Sequence, residues 1–447
     1  MKILLVSFLI ALTGALSVFS QTENAPTEGF WEGAIEKDGK IWRVNLSIAS
    51  GKAFVDFIDV DAHGLEFSVT RTGAHLRIER PQPGGKPIIF EGKIEGDIFS
   101  GSWSGTNTTA VFSLKRGKLP EKFFREEEVS FKNGDVTLSG SLILPLAKGK
   151  FPVVVFTHGS GAETRAPSRS LAMRFVKKGI AALCYDKRGT GRSNGNYRSA
   201  SMEDLARDAL AGIEFLKTRP EINKRQIGVS GHSQGGWIAP LTSTISKDVA
   251  FVMASAASGV SPDKQSIYHR ANVMREMGFS EREIKIATDL REKLYASGRL
   301  LLENNPAATA ERKKISVELA KYAKEPWFER GAELPPNLDD DKPARGALEL
   351  LFFEPVPMWE KVRVPVLLIW GDKDRIVPVA EGRTIIENAL KKGGNRKFTT
   401  KIFPNVNHGV VVVRDDKTWD FPRVDLNYFD AMVEWLGAEL NKTKKDK

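Results

Sequence analysis

"GVSGHSQGGW", residues 228–237, sets a serine between glycines directly behind an apolar run. As a five-letter pattern Gly-x-Ser-x-Gly says little, because glycine and serine are common enough to produce it by chance in a long chain. Its surroundings carry more. "RQIGVSGH" ahead of the serine reads as a buried strand, and "QGGWIAPLTSTIS" behind it reads as a helix. A strand, a sharp turn and a helix are what a nucleophile elbow needs: Gly231 and Gly235 let strand and helix pack closely while Ser233 projects outward.

A serine hydroxyl attacks poorly unless a base lies within hydrogen-bond reach and a carboxylate orients that base. There are six histidines. His63 and His75 fall in an all-β region, His158 precedes a separate turn, His232 belongs to the elbow, and His269 lies in a long helical interval. The remaining one, His408 in "FPNVNHGVV", follows the last strand pattern and is the candidate base. The acid is expected between serine and histidine at a strand end, where "VPVLLIWGDKDRIVP" offers Asp372 and Asp374. Asp374 is favoured, because Asp372 directly follows the strand glycine and is better placed to cap or orient the loop. Backbone donors for a developing oxyanion are the amide of Gln234 and that of Ser160 in "FTHGSGAET", with Gly159 next in line.

Working outward, apolar runs alternate with helical patterns: "FPVVVFTHG", "GIAALCYD", "RQIGVSGH", "VAFVMASAA", "VPVLLIWGD" and "KFTTKIFP". A hairpin pattern, "EEVSFKNGDVTLSGSLILP", turns at Asn133-Gly134 ahead of them. This grammar predicts a doubly wound, mostly parallel α/β sheet. Ser201 and Asp204 supply a capping-box start to the helix "SMEDLARDALAGIEFLKTRP". Residues 259–362 are far too many for an ordinary connection and carry helical stretches, so they are expected to form a cap over the sheet's carboxyl edge.

Upstream, residues 29–117 alternate apolar and polar in short runs broken by turns, with no helical period. Roughly eight strands fit, as a small barrel or sandwich serving as a structural or docking module more than a ligand carrier. The charged link "KRGKLPEKFFREEE" separates this all-β domain, 21–117, from a core at 118–258 and 363–447.

Taken in order, "HGSG", "YDKRGTGRS", "GHSQGG", "GDKDRIVP" and "NVNHG" resemble the α/β-hydrolase superfamily, in particular its bacterial serine esterases and serine-aminopeptidase-like hydrolases with a helical cap. The likeness covers about residues 120–441. It implies that Asp186, Arg188 and Gly191 form a structural loop beside the site, and it does not account for the amino-terminal β domain.

The 447 residues, 41% hydrophobic, suffice for two or three packed domains. A net charge of +10 is spread along the chain without aromatic interleaving, and the densest basic run, "NKTKKDK", reads as a solvated tail, so no nucleic-acid partner is expected. Residues 1–20, "MKILLVSFLIALTGALSVFS", have the basic start, short apolar core and small-residue end of an export signal, with cleavage after Ser20 or Ser17. No later segment approaches the ~20 apolar residues of a membrane span. The only cysteine, Cys184, sits in an apolar run and reads as core. No metal-ligand cluster or dinucleotide motif appears, so no metal and no cofactor are expected. Together these features predict an exported, periplasmic or secreted serine hydrolase acting on small-molecule carboxylic esters. The alternatives are an amide-cleaving peptidase, an acyl transferase, and an envelope ligand-binding protein.

Overall fold

Period-two alternation in the first hundred residues closes on itself as a barrel. The computed structural model describes residues 27–445 apart from 61, 83–84, 106–107, 339–342 and 414–422, so the export-signal segment 1–20 lies outside the described residues. The described residues up to Asp56 with Gly64–Leu119 make one compact unit, and Phe57–His63 with those from Pro120 onward make a second.

In the first unit eight strands follow one another: β1 (Gly29–Lys37), β2 (Lys40–Ala49), β3 (Lys52–Phe57), β4 (Ala62–Thr72), β5 (His75–Arg80), β6 (Ile88–Glu95), β7 (Ile98–Ser104) and β8 (Thr109–Gly117). Antiparallel pairing of β1 with both β2 and β8 closes the ring, which decides for a barrel over a sandwich. Eight strands enclose a space just wide enough for side chains to fill. Here Trp31, Phe67, Phe90, Phe99 and Phe112 fill it, each almost fully buried. Phe99 and Phe90 meet Phe112 edge-on with centroids 4.7 and 5.3 Å apart. The interior is a packed aromatic core, which speaks against the ligand-carrying reading.

The second unit is built on β9 (Phe124–Asn133), β10 (Val136–Pro145), β11 (Phe151–Thr157), β12 (Ala181–Tyr185), β13 (Ile222–His232), β14 (Phe251–Ser255), β15 (Val366–Gly371) and β16 (Phe398–Phe403). Their spatial order is β16-β15-β14-β13-β11-β12-β10-β9. The pairs β9–β10 and β10–β12 are antiparallel and the rest of the sheet is parallel. Because successive strand residues point to opposite faces, Val153, Val155, Leu183 and Val229 face one helical layer while Val154, Phe156, Ala182 and Cys184 face the other. The first layer holds α2 (Met202–Lys217), α3 (Gly235–Ile245) and α9 (Val379–Lys392); the second holds α1 (Ala166–Lys177) and α10 (Leu426–Lys445). Burial pushes the Cys184 thiol well above its ordinary pKa, so it stays an inert core group.

Between β14 and β15 run α4 (Pro262–Glu276), α5 (Glu281–Leu302), α6 (Ala308–Ala320), α7 (Arg345–Leu351) and α8 (Pro355–Trp359). They carry an apolar cluster of their own, including Met274, Leu290, Leu319, Trp327 and Phe328. The capping box of α2 is present: the Asp204 amide donates to Ser201 Oγ at 3.1 Å and the Ser201 amide to Asp204 Oδ2 at 2.9 Å. No helix of the described residues is long and apolar enough to cross a membrane.

Candidate active site

Strand order turns back on either side of β11, and loops from parallel strands converge there at the sheet's carboxyl edge. Ser233 sits in the turn between β13 and α3 with φ +57°, a left-handed conformation that serine adopts only under constraint. Its amide is held by Ser255 O at 2.9 Å. A Cβ on Gly231 would lie 2.1 Å from Gly235 O and 2.3 Å from Thr157 Oγ1, so strand and helix meet only because residue 231 has no side chain.

The other two candidate groups are brought together from separate loops. His408 Nδ1 lies 2.7 Å from Asp374 Oδ2, and Asp374 Oδ1 accepts from the amides of Ile376 and Val377 at 2.8 and 2.9 Å. With a carboxylate on the Nδ1 side, Nδ1 carries the proton and Nε2 is left as the acceptor. Asp372 does something different: its Oδ1 takes the Asn405 amide at 2.6 Å, which fixes the start of the histidine loop. That loop is strained on both sides of His408, with Asn405 at φ +58° and the β-branched Val410 at φ +61°.

Ser233, His408, Gln234 and Ser160 line one cavity of about 460 Å³, which Gln265, His269 and Arg270 of α4 close from the other side. The helical interval between β14 and β15 therefore forms part of the cavity wall. His269, set aside in the sequence because it lies in that interval, is among the lining residues. The amides of Ser160 and Gln234 donate to no group of the chain among the described residues. The Gly159 amide is different: Glu163 Oε2 takes it at 2.8 Å, which leaves Ser160 as the donor available on that loop.

His158 is buried, whereas His232 is half-buried and lines the cavity beside Ser233. His158 Nε2 pairs with Tyr185 O at 2.5 Å, and burial lowers its pKa to about 4. His232 Nδ1 meets Ser255 Oγ at 3.0 Å, and Ser255 Oγ in turn meets the Tyr428 hydroxyl at 2.8 Å. Its ring lies 4.9 Å from that of His408, and desolvation, followed by the proximity of the His408 imidazole, lowers its pKa to about 3. A neutral imidazole thus supports His408 without competing for protons.

The segment "YDKRGTGRS" is pinned by two ion pairs. Arg165 reaches Asp186 Oδ2 at 2.9 Å, while Arg188 grips Asp208 of α2 through two 2.7 Å bonds. Both members of the second pair are nearly buried, and removing one partner strands the other charge at a cost of about 3–5 kcal/mol. Asp208→Ala is expected to lower the urea midpoint accordingly; an unchanged midpoint would mean that Arg188 finds another acceptor. Among the described residues no group of three or more His, Cys, Asp or Glu is arranged to hold a metal ion.

A model of the Alpha/beta hydrolase family matches residues 154–420, which include every group just described from Thr157 to His408. The chain is 24% identical over 357 residues to Esterase EstD of Thermotoga maritima, spanning 77% of this chain and 74% of that protein. It is 25% identical over 258 residues to the quorum-quenching protein AidA of Acinetobacter baumannii, spanning 56% of this chain and 79% of that one. Among solved structures a Pyrococcus furiosus esterase aligns at 20% identity and a TM-score of 0.43, over 70% of this chain and 91% of its own.

Proposed function

Because the chain belongs to the Alpha/beta hydrolase family, we propose that it is a serine hydrolase that cleaves carboxylic esters of small or medium acyl groups through an acyl-enzyme. One observation carries this reading: Ser233 in its left-handed turn shares a cavity with a histidine already paired to a buried carboxylate. In the first step Ser233 Oγ bonds to the ester carbonyl carbon and its proton passes to His408 Nε2. The carbonyl electron pair moves onto oxygen, facing the Ser160 and Gln234 amides. Collapse of that oxyanion expels the alcohol, which takes the proton from His408. Water, deprotonated by the same nitrogen, then releases the acid and restores the serine.

A cavity of about 460 Å³ suits a small-molecule substrate. The esterase name of the Thermotoga relative supports an ester over an amide, as does chemistry, since an alkoxide leaves more readily than an amide nitrogen. The leader-like residues 1–20 support export to the periplasm or medium. A panel of chromogenic esters of graded acyl length, run beside aminoacyl anilides, tests the assignment. The expected optimum lies among short and medium esters; faster turnover of the anilides reassigns the protein as a peptidase.

A further inference from the structure

We infer that Lys187 is a positioning residue that locks both halves of the oxyanion pocket through a single buried ammonium. This rests on the reading of Ser233 as nucleophile, and it assigns a task to a residue whose place in a surface-like loop motif hides it in the sequence. Lys187 is 2% exposed. Its Nζ donates to Gly159 O at 2.8 Å, to Gly161 O at 3.2 Å and to Gln234 Oε1 at 2.8 Å. Three donors meet three acceptors, so the ammonium is saturated by the protein alone.

The choice of acceptors is informative. The Gly159 carbonyl belongs to the same peptide unit as the Ser160 amide, and fixing that oxygen fixes the plane from which the N–H projects. On the other side, Gln234 is the residue whose amide forms the second donor. A single cation therefore bridges the loop after β11 and the turn after β13, the two segments that must keep their spacing while charge develops on the substrate oxygen. A charged donor on the carbonyl also polarises the Gly159–Ser160 peptide and strengthens its N–H as a donor. The backbone that carries Lys187 is itself anchored, because its sequence neighbours Asp186 and Arg188 are each tied into their own ion pairs.

Burial lowers the Lys187 pKa to about 8, with the Glu163 carboxylate pulling the other way. His158, held neutral by burial, and the Tyr197 ring, whose centroid is 5.2 Å from Nζ, also face it. Loss of the proton removes a donor from the clamp, so turnover should weaken above about pH 8.

The test compares the wild type, Lys187→Met and Lys187→Arg in kcat, KM, pH profile and affinity for a trifluoromethyl ketone, which forms an oxyanion when bound. In Lys187→Met, kcat and ketone affinity should fall together by about 10²-fold, the scale of losing one oxyanion donor, while KM stays within about threefold. The wild-type kcat should decline above about pH 8. Lys187→Arg, which keeps its charge, should retain more activity and lose that decline. If Lys187→Met does not fold, the two remaining pH profiles decide the matter. Fluorophosphonate labelling separates the two claims. A folded wild type that does not label at Ser233 removes the proposed function and this role with it. Normal labelling with kcat in Lys187→Met within threefold of wild type, or identical alkaline limbs in wild type and Lys187→Arg, overturns the clamp alone.

Discussion

Ser233→Ala is expected to abolish labelling by a fluorophosphonate and to cut ester turnover by on the order of 10⁵–10⁶-fold, the loss seen when a serine nucleophile is removed from a working triad. The label forms an Oγ–phosphorus bond as fluoride leaves, and alanine offers no oxygen for it. The fold should survive, because φ +57° at residue 233 is imposed by the tight approach of β13 to α3 and not by the hydroxyl. Glycine at 233 supplies the control: it accepts positive φ freely, so Ser233→Gly should be equally inactive yet about 1 kcal/mol more stable than Ser233→Ala. A folded alanine variant that still turns over esters at a tenth of the native rate would remove Ser233 from the chemistry.

Asp374→Asn is expected to lower kcat by about 10⁴-fold, whereas Asp372→Asn should cost less than about tenfold. The difference follows from where each carboxylate points. Asp374 accepts from His408 Nδ1 with one oxygen and from two backbone amides with the other. Those two amides hold the side chain so that an asparagine has to present its NH₂ group to the histidine. That favours the tautomer with a proton on Nε2, which cannot accept from serine. Asp372 spends its oxygen on the Asn405 amide, and asparagine keeps a carbonyl oxygen able to do the same. A larger loss at Asp372 than at Asp374 would overturn the assignment.

Much of the second unit was legible because its central strands contain short apolar runs, as in "VPVLLIWGD" and "FPVVVFTHG", that stand out from the helical patterns between them. The place of Asp372 was legible too: abutting the strand glycine, it holds the neighbouring loop through the Asn405 amide. Barrel against sandwich was not: both show the same alternation, and only the pairing of β1 with β8 distinguishes them. Lys187 was missed for a different reason. A lysine between aspartate and arginine in a glycine-rich loop reads as solvated, and its acceptors are main-chain oxygens and one amide that no side-chain pattern reveals. The placement of His269 against the cavity likewise depends on how α4 folds back toward the sheet edge, which its own period does not state.

The order of the strands bears on how the molecule comes to life during synthesis. The serine turn is held once β13, α3 and β14 have emerged, since Ser255 O at the end of β14 takes the Ser233 amide, but β15 pairs with β14 across the whole helical interval and leads into Asp374, while His408 comes only after β16. Pairing over such a sequence separation is slow relative to local structure. If Ser233 is the proposed nucleophile, a nascent or truncated chain that ends before β15 holds it without His408 and is expected to be hydrolytically silent. In refolding, ester turnover should return only when β15 and β16 have closed onto the sheet, so that activity becomes a clock for those last two strands.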